Sequence, residues 1–274
     1  MKSYITIATT IFFTLCIPFV LIGLGQTKTN SKKEQVLINQ YKQTGKLDTI
    51  DLLMFDGPFE DTQWMTSQKA KLLNKSVYFE RKFDGKPKSL TNLRKVARKI
   101  FRSFLLEYNI ASNFQATVAK GQYDCLTGTV FFAFILERLG YEYTIWETNV
   151  HTYLTVEVEG QEVLIESTDR VYGFISDPKM IEKKKAMYLS DSQNANKNYY
   201  DENIYRKLEL TGLLGLIYYN RAVKEFQDNN FTDSAESVVK SFCFYASERN
   251  EMLYRLLARL KSEDGMPLMY TISN

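Results

Sequence analysis

Asp124-Cys125-Leu126-Thr127-Gly128-Thr129-Val130-Phe131-Phe132-Ala133-Phe134-Ile135-Leu136-Glu137-Arg138-Leu139-Gly140 is the stretch that decides how this chain is read. Every residue from Val130 to Leu136 is apolar, so a helix over this stretch has almost no polar face. A helix apolar all round belongs at the centre of a fold. Gly140 supplies a left-handed C-cap. At the other end stands Cys125, where free backbone N–H groups and the helix dipole stabilise negative charge. A thiolate is favoured there, and the thiolate is the nucleophilic form of cysteine. Asp124 can serve as the N-cap, its carboxylate turned onto backbone N–H groups. Turned toward Cys125 instead, it would oppose a thiolate.

Downstream, residues 141–147, 151–158 and 162–168 have the alternation of strands, and Glu159-Gly160-Gln161 between the last two is a hairpin turn. The middle strand opens on His151, the one histidine of the chain, 26 residues after Cys125. A single imidazole excludes a multi-histidine zinc site and any mechanism that needs two. His151 can accept the thiol proton and hold a thiolate–imidazolium pair. Glu166 or Asp169 can orient the ring through its second nitrogen. With Gly160-Gln161 as a two-residue turn, Val158 faces Val163 and Val156 faces Ile165. Alternation then sets His151, Tyr153 and Thr155 on one face with Glu166 and Thr168, while Asp169 points away. That register pairs Glu166 with Thr155, four residues from His151. A bend or bulge has to close the gap.

Three separated motifs, Tyr123-Asp124-Cys125-Leu126-Thr127-Gly128-Thr129, His151-Thr152-Tyr153-Leu154 and Val163-Leu164-Ile165-Glu166-Ser167-Thr168, resemble the transglutaminase-like superfamily in order and spacing, over roughly residues 90–170. The resemblance implies a papain-like fold, with a catalytic cysteine on a helix and a histidine and an acid on adjacent strands. It implies Cys125 and His151 in those roles, with the acid fifteen positions after the histidine, at Glu166. Tyr153 stands where the family usually has Trp, and Glu166-Ser167-Thr168 where it usually has Asp-Pro-Thr. Amide chemistry (peptidase, deamidase or crosslinking) on a protein or peptide substrate follows from the resemblance, with no metal or organic cofactor. Calcium, used by some members, finds no EF-hand-like acidic loop here. A papain-type glutamine six positions before the cysteine would fall on Ala119. Gln115 and Gln122 are near in sequence, but the backbone N–H of Cys125 is the oxyanion donor that can be named.

Around this centre the chain is helical at both ends. Residues 31–75 are mixed and polar, with Gly57-Pro58 as a turn. Residues 90–107 are an amphipathic helix with Ser89 as N-cap. Leu90, Leu93, Val96, Ala97, Ile100, Phe101, Phe104 and Leu105 face inward and Arg94, Lys95, Arg98, Lys99 and Arg102 form a solvated basic side. Residues 169–200 read as polar and irregular, with a short helix at Lys183-Lys184-Lys185. A helical block from 204 to 261 contains one tetratricopeptide-like pair turning at Asp228-Asn229-Asn230, where Ala222 and Ala235 allow close approach. Leu253, Leu256, Leu257 and Leu260 mark a further helix. One such unit is short of the roughly three that make a solenoid, so it caps the core or offers a docking surface to a protein. Some bacterial transglutaminase-like proteins carry such helices. Helices, then strands, then helices indicate α+β: a central helix on a small antiparallel sheet, plus C-terminal helical hairpins. Cys243, in Phe242-Cys243-Phe244, reads as inert packing. A Cys125–Cys243 disulfide would abolish the nucleophile.

With 274 residues, 45% of them hydrophobic, 24% charged and five prolines, the chain is a folded globular protein. Lys+Arg 35 against Asp+Glu 32 leaves +3, interleaved along the chain, and gives no footprint for nucleic acid. After Lys2, no residue from Tyr4 to Gly25 is charged. Residues 1–25 are therefore a signal peptide or, being close to the ~20 apolar residues a span needs, an uncleaved anchor. Cys16 lacks the small residue expected before a lipidated cysteine. Either way the chain is exported, to the cell envelope or beyond, and touches membrane through this segment alone. The expected division is a leader at 1–25, a transglutaminase-like domain at 26–203 and a helical block at 204–274. Two functions fit: an exported thiol enzyme, or a non-catalytic envelope protein that docks a partner through its helical block. They differ in whether Cys125, His151 and a carboxylate meet.

Overall fold

The computed structural model describes residues 32–56, 61–110, 112–195 and 204–263. The leader expected at 1–25 and the Gly57-Pro58 turn lie outside them. In chain order the elements are α1 (Lys32–Thr44), α2 (Thr49–Leu53), α3 (Thr62–Phe83), α4 (Leu90–Ser103), β1 (Glu107–Tyr108), α5 (Phe114–Lys120), β2 (Gln122–Tyr123) and α6 (Cys125–Arg138). Then follow β3 (Tyr143–Thr148), β4 (Thr152–Val158), β5 (Gln161–Ile165), β6 (Phe174–Ile175), α7 (Pro178–Ala195), β7 (Tyr205–Leu208), α8 (Leu210–Gln227), α9 (Phe231–Phe242) and α10 (Glu248–Glu263). The chain is α+β, with a five-stranded antiparallel sheet in the order β6-β5-β4-β3-β7 and a small parallel pair, β1-β2. Among the described residues no helix is long and apolar enough to cross a membrane.

Helix α6 is the centre of the core, as its composition requires: Val130 through Ile135 are buried to within 5%. Strand alternation gives the sheet two different coats. Ile145, Leu154, Val156, Val163 and Ile165 join the large core that contains α6. Trp146, Tyr153, Leu164 and Ile175 point the other way and pack with Ile181 and Tyr188 of α7. The sheet is thus held between α6 and α7. Helix α4 has the expected polarity, with Leu93, Val96, Ala97 and Ile100 buried and Arg94, Lys95 and Arg98 outside, and Ser89 caps it through the Asn92 N–H.

Five sequence expectations are corrected. The helix expected over 90–107 ends at Ser103, because Phe104 leaves helical backbone at φ −130° and Glu107 already pairs in β1. The hairpin turns at Glu159-Gly160, one residue earlier than read, because both residues take positive φ, 53° and 73°, the conformation of the tightest turn that matches strand twist. Val158 therefore faces Gln161 and Val156 faces Val163. Residues 178–195 are a helix, not an irregular stretch. Residues 205–208 are the edge strand β7 paired to β3, so the C-terminal helices begin at Leu210. The polar N-terminal region holds α1, α2 and most of α3, whose inward stripe of Met65, Gln68, Leu72, Ser76 and Phe79 includes two polar residues.

The C-terminal helices form the expected hairpin. Ala222 and Ala235 are buried between α8 and α9, and the Ser234 hydroxyl donates to the Ala222 carbonyl at 2.7 Å. Leu257 is buried beneath it, whereas Leu256 is 43% exposed and takes no part in that packing. Two buried charge clusters tie this block to the rest. Glu34 of α1 meets Lys240 at 3.1 Å and accepts the Tyr218 hydroxyl at 2.7 Å. Glu147 of β3, fully buried, is bound by Arg206 at 3.0 Å, by the Tyr245 hydroxyl at 2.6 Å and by Arg249.

Candidate active site

Asp124 is the N-cap of α6. Its Oδ1 accepts the Thr127 N–H at 2.8 Å and the Thr127 hydroxyl at 2.9 Å, while its own N–H donates to Thr127 Oγ1 at 3.1 Å. This reciprocal capping box turns the carboxylate onto the first turn of the helix. Burial pushes the Asp124 carboxyl above its ordinary range, and the hydrogen bonds to Thr127 and Leu126 pull the other way. Cys125 is the first residue of the helix, part-exposed, and is a free thiol, as is Cys243, so the disulfide is absent. The Cys243 thiol is pushed up by burial, in keeping with inert packing.

His151 sits just before β4, held by its backbone: its N–H donates to Thr148 Oγ1 at 3.0 Å and its carbonyl accepts the Thr148 N–H at 2.8 Å. The imidazole Nε2 lies 2.6 Å from Glu166 Oε2. The Cys125 side chain is near enough to the ring to favour its charged form. With Nε2 on the carboxylate, Nδ1 is the nitrogen left for sulfur. Burial disfavours the imidazolium, but the Cys125 and Glu166 side chains outweigh it and raise the His151 pKa. Burial likewise works against the Glu166 carboxylate, and the bonds from His151, Tyr188 and Thr168 outweigh it and hold the group well below the usual carboxylate range. Both shifts favour the charged pair.

The corrected hairpin register accounts for this meeting. Moving the turn back one residue slides β5 by two along β4, so Glu166 continues opposite Tyr153 instead of Thr155. The gap to His151 falls from four residues to two, with no bulge needed. Asp169, the other candidate acid, is used elsewhere: its Oδ1 accepts the Val171 and Tyr172 N–H groups at 3.1 and 2.8 Å. The loop from Glu166 to Gly173 closes on itself through Glu166 N–H to Gly173 O and Gly173 N–H to Asp169 O, both 2.8 Å. Arg170 pins it to the end of α4 by donating to the Phe101 and Leu106 carbonyls.

The amides of the two nearby glutamines are engaged elsewhere: Gln115 Nε2 donates to the Met54 carbonyl at 2.8 Å and Gln122 Nε2 to Glu107 Oε2 at 3.0 Å. Tyr188 was missed altogether by sequence reading. It stands on α7, donates its hydroxyl to Glu166 Oε2, and lays its ring 5.1 Å from that of His151. A signal was present in the i, i+4, i+7 spacing of Ile181, Lys185 and Tyr188, one inward stripe hidden among lysines. A groove of about 440 Å³ runs from Glu166 past Tyr172, Phe174, Ile175 and Met180. Tyr172 and Val171 at its rim are 77% and 78% exposed, as is Val150, beside His151, at 60%. Of the three candidate residues Glu166 alone lines this groove, whose wall also carries Asp169, Ser176, Asp177 and Lys184.

Comparison of the chain with models of protein families, with curated proteins and with solved structures returns no match.

Proposed function

We propose that this is an exported thiol enzyme with a papain-like core, acting on amide bonds through Cys125, His151 and Glu166. The observation that carries the reading is the His151 imidazole bound at 2.6 Å by the Glu166 carboxylate and raised in pKa by Glu166 and the neighbouring Cys125 side chain, with that thiol at the start of a buried helix. The resemblance of the three motifs to the transglutaminase-like superfamily supports it, and export rests on the apolar run at 4–25.

The chemistry follows from the groups. His151 takes the thiol proton, and the Cys125 sulfur attacks the amide carbonyl carbon, forming the C–S bond while the C–O π pair moves to oxygen. The Cys125 N–H, one of the four at a helix start without an intrahelical partner, is the donor for that oxyanion. The pair then returns, the C–N bond breaks, and the imidazolium gives its proton to the departing nitrogen. A water or an amine, deprotonated by the now neutral His151, attacks the thioester and releases the thiolate beside the imidazolium. Water makes the outcome hydrolysis or deamidation, and an amine makes it acyl transfer. Glu166 holds the ring in one tautomer and supports its positive charge throughout. The groove beside Glu166, where exposed Val171 and Tyr172 stand among Asp169, Asp177 and Lys184, suits a peptide with both apolar and charged side chains.

The test is iodoacetamide alkylation of the full chain across pH, read peptide by peptide. Cys125 alkylates faster than Cys243 at neutral pH, and His151→Ala removes the difference. Equal, slow alkylation of both cysteines, indifferent to His151, would replace this reading with that of a binding protein that docks its partner through the α8–α10 block.

A further inference from the structure

Glutamate in place of aspartate lengthens the third side chain by one methylene and adds a rotatable bond, so its carboxylate points at an imidazole only if both oxygens are held. Here they are. Oε1 accepts the Thr168 N–H at 3.0 Å and the Thr168 hydroxyl at 2.7 Å. Oε2 is shared between His151 Nε2 and the Tyr188 hydroxyl. An ionised carboxylate has about four acceptor sites, and this one has a partner for each. Thr168 holds from the loop that carries Glu166 itself, whereas Tyr188 holds from the opposite side, on α7.

Several contacts fix where the Tyr188 hydroxyl can go. Its ring stacks on Tyr153 at 4.9 Å and lies 5.1 Å from His151, and the residue is buried at 6%. One turn earlier, Lys185 reaches Glu162 of β5 at 2.6 Å and lies over Trp146, and Ile181, 4% exposed, seats the start of the helix. The stripe 181, 185, 188 thus sets α7 in one register on the sheet. Burial and the neighbouring Glu166 charge raise the Tyr188 pKa, which leaves the phenol a neutral donor.

We propose that Tyr188 is a positioning residue for the thiol chemistry: by donating to Glu166 Oε2 it aims the carboxylate at His151 Nε2, so the reactivity of Cys125 depends on α7 being seated against the sheet. The inference rests on the reading of Cys125, His151 and Glu166 as a reacting set. Tyr188 touches neither sulfur nor substrate in this role, and acts through Glu166.

The experiment is the pH profile of Cys125 alkylation in four full-length proteins: wild type, Tyr188→Phe, Glu166→Gln and the double variant. Phenylalanine keeps the ring and its stacking and removes the donor. Tyr188→Phe slows Cys125 alkylation at neutral pH about tenfold, the scale of one hydrogen bond to a charged group. It also moves the alkaline limb of the profile to lower pH, because the imidazolium loses its aimed counter-charge. In the Glu166→Gln background the same change adds nothing, since the group it acts on is gone. A Tyr188→Phe profile identical to wild type, or an effect that adds in full to Glu166→Gln, overturns the inference. Should melting curves show Tyr188→Phe unfolded, Tyr188→Met is the second variant without a hydroxyl and is read in the same way. If wild-type Cys125 is itself indifferent to His151→Ala, the thiol reading fails first and the inference goes with it.

Discussion

Gly128 and Ser167 touch where the cysteine helix passes the loop that carries the acid: a methyl group at 128 would lie 2.9 Å from the Ser167 hydroxyl and 3.0 Å from its Cβ. It would also sit 3.0 Å from the Tyr123 ring, which is fully buried. One turn away, the Ser167 hydroxyl donates to the Cys125 carbonyl at 3.3 Å. The absent side chain at 128 leaves room for the Glu166–Ser167 segment to lie against the first turn of the cysteine helix.

Gly128→Ala should therefore run against helix propensity. In an open helix the change gains up to about 1 kcal/mol. Here overpacking costs about 1–3 kcal/mol and pushes the start of α6 away from Ser167. Urea denaturation reads the loss of stability, and Cys125 alkylation at neutral pH falls with it. A variant more stable than wild type would show that the helix has room to spare.

The His151–Glu166 pair makes stability depend on pH from both sides. His151 is raised from 6.5 to about 10, so its contribution is complete below about 6.5 and is lost as pH climbs through 10. Glu166 is lowered from 4.5 to about 2, so its contribution is complete above about 4.5 and is lost as pH falls through 2. Between about pH 4.5 and 6.5 the pair contributes in full. Glu166→Gln should be most destabilising relative to wild type in that window, with the difference shrinking toward pH 10 and toward pH 2. Thermal melts of both proteins across pH check it, and a difference that stays flat would remove the ion pair from the account.

Gly160, in the turn at the far end of β4 from His151, and Gly173, in the loop that carries Glu166, should respond to alanine for different reasons. Gly160 has φ +73° and nothing within 4 Å of an added methyl, so Gly160→Ala carries the left-handed penalty alone, about 1–2 kcal/mol. At Gly173 the added carbon would lie 2.1 Å from the Glu166 carbonyl oxygen and 2.2 Å from that of Asp169. Backbone cannot rotate aside, so Gly173→Ala must open the loop that places Glu166. Denaturation midpoints should fall further for Gly173→Ala, and Cys125 alkylation should slow in that variant while Gly160→Ala leaves it unchanged.

Glu147 is buried at 0% among Arg206, Arg249 and Tyr245. Removing one partner of a buried charge set costs about 3–5 kcal/mol, since the others remain desolvated. Glu147→Ala should lose that much in urea denaturation and loosen β7 and Tyr245 from β3. Hydrogen exchange of the β7 amides reads the second effect. A loss below about 1 kcal/mol would show that water reaches the arginines.

The residues that make the site were legible because their signals are local. An all-apolar helix with a cysteine at its start, a single histidine opening a strand, and an acid at the right parity on the next strand are each visible in a few residues. The register was not, because a glutamate in left-handed φ at 159 is an uncommon choice and the reading gave the turn to Gly160-Gln161. Helix α7 was hidden because one residue of its inward stripe is a lysine that pairs with Glu162. Strand β7 was hidden for a similar reason: Tyr205-Arg206-Lys207-Leu208 looks polar until Glu147 is known to lie opposite Arg206. In both cases a charge is spent on a partner far away in sequence, and hydropathy alone cannot see that.

A lone imidazole packed 5.1 Å from a tyrosine ring is also a built-in spectroscopic probe. Ring currents from Tyr188 displace the carbon-bound protons of His151 from their usual positions. With one histidine in the chain, no assignment is needed to know whose resonances they are. A single pair of signals would then report, in the intact protein and without substrate, both whether the ring is charged and whether α7 lies against it.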